Sequence, residues 1–239
     1  MTNSLRGLFL LSSVLLLVSW HYMIVASDGQ FGELDLTSVS LDENNSVRVD
    51  DPLYPKAMLG LGLQGRQVYV SLGCISCHTQ QVRLEGVGRD LERGWGLRPS
   101  MPRDYVRQPQ PLLGRFRHGP DLANLGTREN FTEEALHLHL YSPQADSPGS
   151  ICQPNPFLYQ HSDIQGDLSE GAFNLGNGSQ IVPTRRARKL VAYLKSLRQD
   201  YELPEMPFLV EPEIKIIPAP LPPVVPAASA SDDNATSDE

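Results

Sequence analysis

The residues best suited to chemistry are Cys74, Cys77 and His78, in the run Cys-Ile-Ser-Cys-His. This spacing is how a polypeptide holds a c-type haem: the two thiols add to the haem vinyl groups, and the adjoining imidazole ligates the iron. The chain has 3 cysteines in 239 residues, and two of them belong to this motif. The motif therefore predicts one covalently attached haem c, with His78 as the proximal iron ligand.

Two other uses of a Cys-x-x-Cys pair compete with haem attachment. A thioredoxin-like redox pair needs a strand-helix-strand setting, which the flanking sequence does not provide. A zinc site needs a second Cys/His pair at a workable spacing, which the chain lacks. Neither alternative accounts for the histidine that follows the second cysteine.

A helix is predicted to deliver this motif. Between Gln64 and Leu72, Val68 and Leu72 recur at a four-residue spacing, and Gly73 ends the run directly before Cys74. The sequence therefore places the haem motif at the carboxyl end of a short amphipathic helix.

Two further helices are predicted in the same domain. One begins near Thr184, a good N-cap, and should pack across the first helix. Its apolar face consists of Ala187, Leu190, Val191, Leu194 and Leu197. Another covers residues 132–141 and is stopped by Pro143. No convincing alternation of apolar and polar residues appears in the domain, so the predicted class is mainly α.

The amino-terminal segment from Leu8 to Ala26 contains no Asp, Glu, Lys or Arg. Its length suffices to cross a hydrocarbon core of about 30 Å, which predicts a transmembrane helix. Arg6 on one side and Asp28 on the other place the start in the cytoplasm and the rest outside. A cleaved signal peptide is the alternative, because Val25-Ala26-Ser27 resembles a cleavage site. Either interpretation exports the domain.

Composition divides the chain into four parts. We expect a membrane anchor over residues 1–27, an acidic tether without a fold of its own over 28–50, and a haem domain over 51–201. Residues 202–239 are rich in proline and acids and predict an extended or disordered tail.

Charge is unevenly distributed around a formal net charge of −8. The acids lie toward both ends, and eight arginines lie between the haem motif and Gly119. They are Arg83, Arg89, Arg93, Arg98, Arg103, Arg107, Arg115 and Arg117. They lack the interleaved aromatic residues typical of single-stranded nucleic-acid binding, so no nucleic-acid partner is expected. They form either a solvated loop or a surface that pairs with haem propionates or with an acidic partner.

Several stretches, in order, resemble one family: the membrane-anchored mono-haem cytochrome c subunit (subunit II) of cbb3-type haem-copper oxidases. They are Gly65-Arg66-Gln67-Val68-Tyr69, Cys74 to His78 with Gln80 and Arg83, Arg117-His118-Gly119-Pro120-Asp121-Leu122, His139-Leu140-Tyr141-Ser142-Pro143, Ser147-Pro148-Gly149-Ser150-Ile151 and Lys189-Leu190-Val191-Ala192-Tyr193-Leu194. The resemblance covers roughly Gln64 to Leu197 and implies a class I cytochrome c-like domain behind an N-terminal transmembrane helix.

The resemblance also implies roles for a Gly-Pro turn. In cytochromes c the proline carbonyl of this turn accepts a hydrogen bond from Nδ1 of the proximal histidine, and the leucine packs on the haem edge. Here those residues are Pro120 and Leu122. Such a bond fixes the imidazole tautomer and raises its donor strength.

The chain departs from the family at the sixth iron ligand. Relatives carry a methionine after the Pro-Gly-Ser stretch, whereas this chain has Cys152. A thiolate there would lower the reduction potential relative to a thioether. Cys152 is one candidate distal ligand, and the others are Met101, His118, His137, His139 and His161. A five-coordinate or weakly ligated iron, with Cys152 as a buried thiol, also stays open.

The function expected from this resemblance is electron relay rather than bond chemistry. The chain would pass electrons to the catalytic subunit of a haem-copper terminal oxidase, alongside other cytochrome c subunits. It would be anchored once in the bacterial inner membrane with its haem domain on the periplasmic side. The alternatives are a subunit of another quinol-oxidising respiratory complex and a haem sensor with an open sixth position.

Overall fold

A computed structural model of the chain describes residues 4–38, 53–58, 60–169, 171–174 and 178–210. The helices are α1 (Leu5–Trp20), α2 (Ala26–Phe31), α3 (Gly60–Ser71), α4 (Glu133–Tyr141), α5 (Pro143–Asp146) and α6 (Arg185–Ser196). The strands are β1 (Thr37–Ser38), β2 (Leu53–Tyr54), β3 (Tyr159–Asp163), β4 (Phe173–Asn174) and β5 (Ser179–Pro183). Short 3₁₀ turns connect several of these elements.

One helical segment is apolar and long enough to cross a membrane. It runs over Leu5–Phe31 with a mean hydropathy of 2.0, and a π-helical stretch (His21–Val25) joins α1 to α2. The Ser4 side chain caps its start by accepting a hydrogen bond from the Gly7 N–H. No side chain of α1 is buried against the protein, as is expected of a helix whose solvent is lipid. The helix is longer at both ends than the predicted span.

The centre of the folded domain is the packing of α3 against α6. A Cβ at Gly65 would lie 1.8 Å from the Lys189 carbonyl oxygen, so only glycine permits this approach. The rings of Tyr69 and Tyr193 meet across the interface with their centroids 5.2 Å apart. The Thr184 side chain accepts from the Ala187 N–H and starts α6 as the sequence predicts.

The helix α4 also begins and ends where the sequence indicates. Thr132 accepts from the Ala135 N–H, and two glutamates occupy the first turn, where the helix dipole favours negative charge. Pro143 stops α4 and occupies the first position of the short α5. Leu136 and Leu140 are buried in the same core as α6.

The domain contains a small sheet that the sequence pattern did not predict. Strands β3, β5 and β4 form an antiparallel three-stranded sheet, with β5 in the centre. The burial of β3 follows no alternation, because only Tyr159 is buried and the other four residues are exposed. The period-two signal is therefore absent from the sequence of β3. The domain stays mainly α around this small sheet.

The described ends of the tether and the tail both contact the domain. Strands β1 and β2 pair as Thr37 with Tyr54 and Ser38 with Leu53, and the Tyr54 ring lies 4.5 Å from the Tyr201 ring. The Leu209 N–H donates to the Leu97 carbonyl oxygen. Residues 39–52 and 211–239 lie outside the described residues.

Candidate haem site

The cysteines of the motif lie on a tight turn that follows α3. Gly73 takes a left-handed conformation (φ 71°), which ends the helix, and a 3₁₀ turn covers Cys74–Ser76. The His78 N–H donates to the Cys74 carbonyl oxygen at 3.0 Å and closes the turn. Both thiols are free; Cys74 packs against the core and Cys77 is exposed. Burial raises the pKa of Cys74 to about 11.

The imidazole of His78 is oriented by the Gly-Pro turn. Its Nδ1 lies 2.8 Å from the Pro120 carbonyl oxygen, and the Gly119 N–H donates to the Cys77 carbonyl oxygen at 3.0 Å. A Cβ at Gly119 would lie 2.2 Å from Cε1 of His78, so a side chain there would displace the ring. Burial lowers the pKa of His78 and favours the neutral imidazole. An Nδ1–H that donates to Pro120 leaves the lone pair on Nε2, which is the tautomer that can ligate a metal.

A buried carboxylate secures the same turn. Asp121 is fully buried and accepts from the Thr79 hydroxyl at 2.5 Å and from the N–H groups of Gln81 and Ala123, each at 2.8 Å. These bonds join the chain after His78 to the chain after Pro120. The role of Asp121 is not visible in the sequence, because nothing in the local spacing reveals its contact with Thr79, 42 positions away.

Leu122 is buried beside the haem motif. Its side chain is 6% exposed and belongs to the main apolar cluster. The Leu122 N–H donates to the Thr79 carbonyl oxygen at 2.8 Å, so this leucine is fixed next to the haem motif.

Cys152 and His139 lie near the haem motif. Cys152 is close enough to Cys74 to raise the pKa of that thiol, and His139 hydrogen-bonds to Cys152. Nδ1 of His139 lies 2.8 Å from Oδ2 of Asp146. The bonds to Cys152 and Asp146 raise the pKa of His139, and its charge in turn lowers that of His78. The fold thus brings His78, His139 and Cys152 together.

The loop that carries Cys152 is clamped by one side chain. Nε2 of Gln144, on α5, donates to the carbonyl oxygens of Ser150 and Cys152 at 3.2 and 2.9 Å. The Cys152 N–H donates to the Ser150 hydroxyl oxygen at 3.2 Å. Gln144, like Asp146, was not identified from the sequence.

The remaining distal candidates have other surroundings. His137 is buried against Tyr159 and Phe173, and its Nδ1 lies 3.0 Å from the Tyr159 hydroxyl oxygen. His161 hydrogen-bonds to Tyr141 through Nε2 at 3.2 Å. His118 stacks on the exposed Phe116 ring. The Met101 N–H donates to the Asp104 carboxylate, which belongs to a separate buried network.

Two arginines of the predicted basic loop are structural. Arg98 is 1% exposed and binds both carboxylate oxygens of Asp104 at 2.8 and 2.9 Å. Arg117 pairs with the buried Asp90 and donates to the Thr79 hydroxyl oxygen at 2.8 Å. The expectation that the whole loop is free for propionates or a partner does not hold for these two residues, because internal carboxylates already neutralise them.

The sequence matches one known protein family. The profile of the family described as cytochrome c oxidase, mono-heme subunit/FixO matches residues 43–173, more than half of the chain. The chain belongs to the FixO family. It is therefore a mono-haem subunit of a cytochrome c oxidase, and the resemblance found in the sequence is confirmed. The chain matches none of the curated proteins with which it was compared.

The residues of the FixO chain fit the haem that the family name implies. Two free thiols are separated by two intervening residues, and the adjacent imidazole is held by Pro120 in the tautomer that exposes Nε2. Gly119 provides the room that the ring needs, and the sulfur of Cys152 and the imidazole of His139 are nearby donors that suit iron. When bound, the haem supplies one-electron transfer.

Proposed function

We propose that this FixO chain is a membrane-anchored c-type cytochrome that relays electrons to the catalytic core of a haem-copper terminal oxidase. Cys74 and Cys77 would hold the haem through thioether bonds, and Nε2 of His78 would ligate the iron. The observation that carries the proposal is the hydrogen bond between Nδ1 of His78 and the Pro120 carbonyl, because it leaves Nε2 of the imidazole that follows the two cysteines available as an iron ligand.

The fold of the haem domain supports this role. We propose a class I cytochrome c-like domain over residues 51–201, with α3 and α6 crossed behind the haem motif. The small distance between the helices at Gly65 keeps α3, and with it Cys74, in a fixed position. A fixed ligand set lowers the structural change that accompanies oxidation and reduction, which suits a relay.

On the distal side we propose Cys152 as the sixth ligand, with His139 as the nearest alternative. Gln144 fixes the loop of Cys152, and the Asp146 carboxylate fixes the His139 ring beside it. A thiolate ligand would give the site a lower potential than the methionine of relatives. Met101 is the weakest candidate, because its backbone is committed to the Arg98 and Asp104 network.

The orientation in the membrane follows from the charges at the two ends of the anchor. Arg6 precedes the apolar helix and Asp28 lies near its outer end, so the positive-inside rule places the haem domain on the periplasmic side of a bacterial inner membrane. Arg103 donates to the Asp35 carbonyl oxygen, and this contact together with the pairing of β1 and β2 holds the domain close to the anchor. The proposed partners are the oxidase catalytic subunit and other cytochrome c subunits.

The experiment that tests this function is isolation of the full-length protein from its native membrane by a mild detergent. We expect a haem-copper catalytic subunit to co-purify and the ferrous haem to be low-spin and inert to carbon monoxide. Recovery with a quinol-oxidising assembly instead would contradict the proposed partner. A high-spin haem that binds carbon monoxide would favour a sensor.

A further inference from the structure

A cleft of about 430 Å³ opens between three segments that the haem site does not use, residues 54–58, 104–108 and 196–201. This volume is in the range of small-ligand sites in proteins. The floor of the cleft is formed by buried side chains, among them Gln80 and Gln199. Two exposed cations, Lys56 and Arg107, line its rim. The cleft is therefore polar inside and open to a ligand from outside.

The positive charge of the cleft is not neutralised by its own acids. Arg198 pairs with Asp200 at 2.5 Å, so these two charges cancel. Asp104 is committed to a buried ion pair. In the described part of the chain, no carboxylate oxygen lies within 4.0 Å of the charged nitrogens of Lys56 or Arg107. A cleft lined by unpaired charge of one sign attracts a ligand of the opposite sign, here an anion.

A buried amide adds an unused donor to the floor. The side-chain Oε1 of Gln80 accepts from the Tyr193 hydroxyl at 2.9 Å, and its backbone oxygen accepts from the Tyr105 hydroxyl at 2.7 Å. Its Nε2 is shielded from solvent, and no described residue accepts a hydrogen bond from it. Burying an amide N–H without an acceptor is costly. The floor thus favours a ligand that carries oxygen acceptors as well as negative charge.

Two walls of the cleft are held close to the outer end of the anchor helix. The apolar helix ends at Phe31, and Thr37, six residues later, pairs with Tyr54 at the start of the first segment. Arg103, next to the second segment, donates to the carbonyl oxygen of Asp35, four residues after the helix. Chains of four and six residues span at most about 14 and 22 Å. The cleft is therefore within reach of the headgroup layer of the membrane that holds the anchor.

The wall that continues from the tether has the composition of a membrane interface. The ring centroids of Tyr54 and Tyr201 lie 4.5 Å apart, and Nζ of Lys56 lies 5.3 Å from the Tyr54 centroid. Leu53, which precedes them, is 45% exposed. Tyrosine and lysine combine an apolar body with a polar tip and suit the boundary between headgroups and acyl chains. These side chains fit a lipid headgroup better than a free anion.

We infer that the cleft binds the phosphate group of an anionic phospholipid, with Lys56 and Arg107 as its cationic contacts and Tyr54 at the boundary with the acyl chains. The inference rests on the proposed membrane anchor and does not depend on the haem. A lipid held here would give the domain a second attachment to the membrane besides the helix. It would thereby fix which face of the domain is turned toward the bilayer.

The test is native mass spectrometry of the full-length holoprotein in detergent, titrated with phosphatidylglycerol or phosphatidylcholine. Lys56→Gln/Arg107→Gln removes both cations. Arg93→Gln/Arg115→Gln is the matched control, because these two arginines are also exposed but lie outside the cleft. We expect the wild type and the control to bind one phosphatidylglycerol more tightly than phosphatidylcholine. In Lys56→Gln/Arg107→Gln the dissociation constant for phosphatidylglycerol should rise about tenfold or more.

A second arm replaces the lipid by inorganic phosphate at constant ionic strength and records the unfolding temperature of the holoprotein. A rise with phosphate that requires Lys56 and Arg107, without any preference for phosphatidylglycerol, would show a site for free phosphate and would overturn the lipid assignment. Equal affinity of the wild type for both lipids, or an equal loss in both double variants, would also overturn the inference.

Two further results keep the test decisive. If Lys56→Gln/Arg107→Gln loses its haem absorption, the single variants Lys56→Gln and Arg107→Gln replace it, each with an expected loss of affinity of about threefold. No loss in either single variant would contradict the inference. Recovery of the wild-type protein from the soluble fraction would contradict the proposed anchor instead, so the two failures are distinguishable.

Discussion

Nδ1 of His78 lies 2.8 Å from the carbonyl oxygen of Pro120, 42 positions further along the chain. The Pro120 carbonyl accepts a hydrogen bond from the imidazole Nδ1–H, so Nε2 is the unprotonated nitrogen and points away from the turn. Gly119 and Asp121, on either side of the proline, make this arrangement sterically possible and rigid.

Removal of the proximal imidazole is the first test of this relationship. In His78→Ala the two thioether bonds can still form, but the iron loses its strongest proximal donor. We expect the visible and electron paramagnetic resonance spectra to lose the low-spin ferric signals. His161→Ala is the control, because His161 is exposed on β3, and its spectra should match the wild type. Low-spin spectra from purified His78→Ala would contradict the ligand assignment.

Substitution of Gly119 should change the haem spectra as clearly as substitution of the proximal ligand His78. A methyl group at Gly119 would lie 2.2 Å from Cε1 of His78, far inside contact distance. In Gly119→Ala we expect the imidazole to tilt, and we expect a large fraction of the haem to become high-spin at neutral pH. The control is Gly29→Ala, where a Cβ meets no atom within 4 Å. Unchanged spectra in Gly119→Ala would mean that the ring does not occupy this position in the holoprotein.

The distal assignment predicts a change in potential. Cys152→Met replaces the proposed thiolate by the thioether of relatives, which stabilises ferrous iron. We expect the midpoint potential to rise by more than about 59 mV, a tenfold change for a one-electron couple. The ferric g-tensor should change from a thiolate to a thioether pattern. The control is His139→Gln.

The result for His139→Gln distinguishes the two neighbouring donors. If Cys152 ligates, this variant keeps a thiolate g-tensor, although its potential shifts because Cys152 loses a hydrogen bond. If the potential is unchanged in Cys152→Met and the low-spin signal is lost in His139→Gln, His139 and not Cys152 is the sixth iron ligand.

The parts of the structure that were predicted from the sequence are those specified by residues close together in the chain. The caps Thr132 and Thr184 and the apolar face of α6 are local patterns, so α4 and α6 were predicted almost to the residue. By contrast, α3 begins at Gly60, ahead of the predicted start at Gln64. The Cys-x-x-Cys-His motif is equally local. The sheet was missed, because β4 has two residues and β3 shows no alternation.

The contacts that complete the site are long-range, and single-sequence patterns do not reveal them. Asp121 is a polar residue in a loop, and nothing in the neighbouring sequence distinguishes its buried side chain from a solvated one. The sequence also does not reveal which arginines of the basic loop are buried. These arginines look alike in sequence, yet Arg98 is fully buried beside Asp104 and Arg107 is exposed.

The helix crossing gives a prediction about stability. In Gly65→Ala the added methyl group would lie 1.8 Å from the Lys189 carbonyl oxygen, so α3 and α6 must separate. Overpacking of this kind costs about 1–3 kcal/mol or more. We expect the urea midpoint of the detergent-solubilised protein to fall. Gly62→Ala, on the same helix, is the matched control, because the nearest atom to its Cβ would be a side-chain atom, Cγ of Met58, at 3.3 Å. Equal midpoints for both variants would contradict the packing.

A buried histidine gives a prediction about pH. Burial lowers the pKa of His137 from its ordinary value of 6.5 to about 4. Between these two values the unfolded chain binds a proton that the folded chain does not, so stability falls as the pH falls from 6.5 toward 4. Because of His137, the free energy of unfolding should therefore fall by about 2 kcal/mol between pH 7 and pH 5.

The measurement is chemical denaturation at both pH values. We expect His137→Phe to lose about 2 kcal/mol less than the wild type over this interval, whereas His118→Phe, which changes an exposed histidine, should follow the wild type. A wild-type pH dependence in His137→Phe would show that His137 is not the group responsible.

The attachment of the haem through Cys74 and Cys77 is the claim on which the rest depends. The most direct measurement is the intact mass of the full-length protein after maturation in a host with the covalent haem-attachment machinery, read together with the haem absorption of the denatured sample. We expect the mass of the polypeptide plus one haem, which stays bound under denaturing conditions. A colourless protein with the mass of the bare polypeptide would contradict the account.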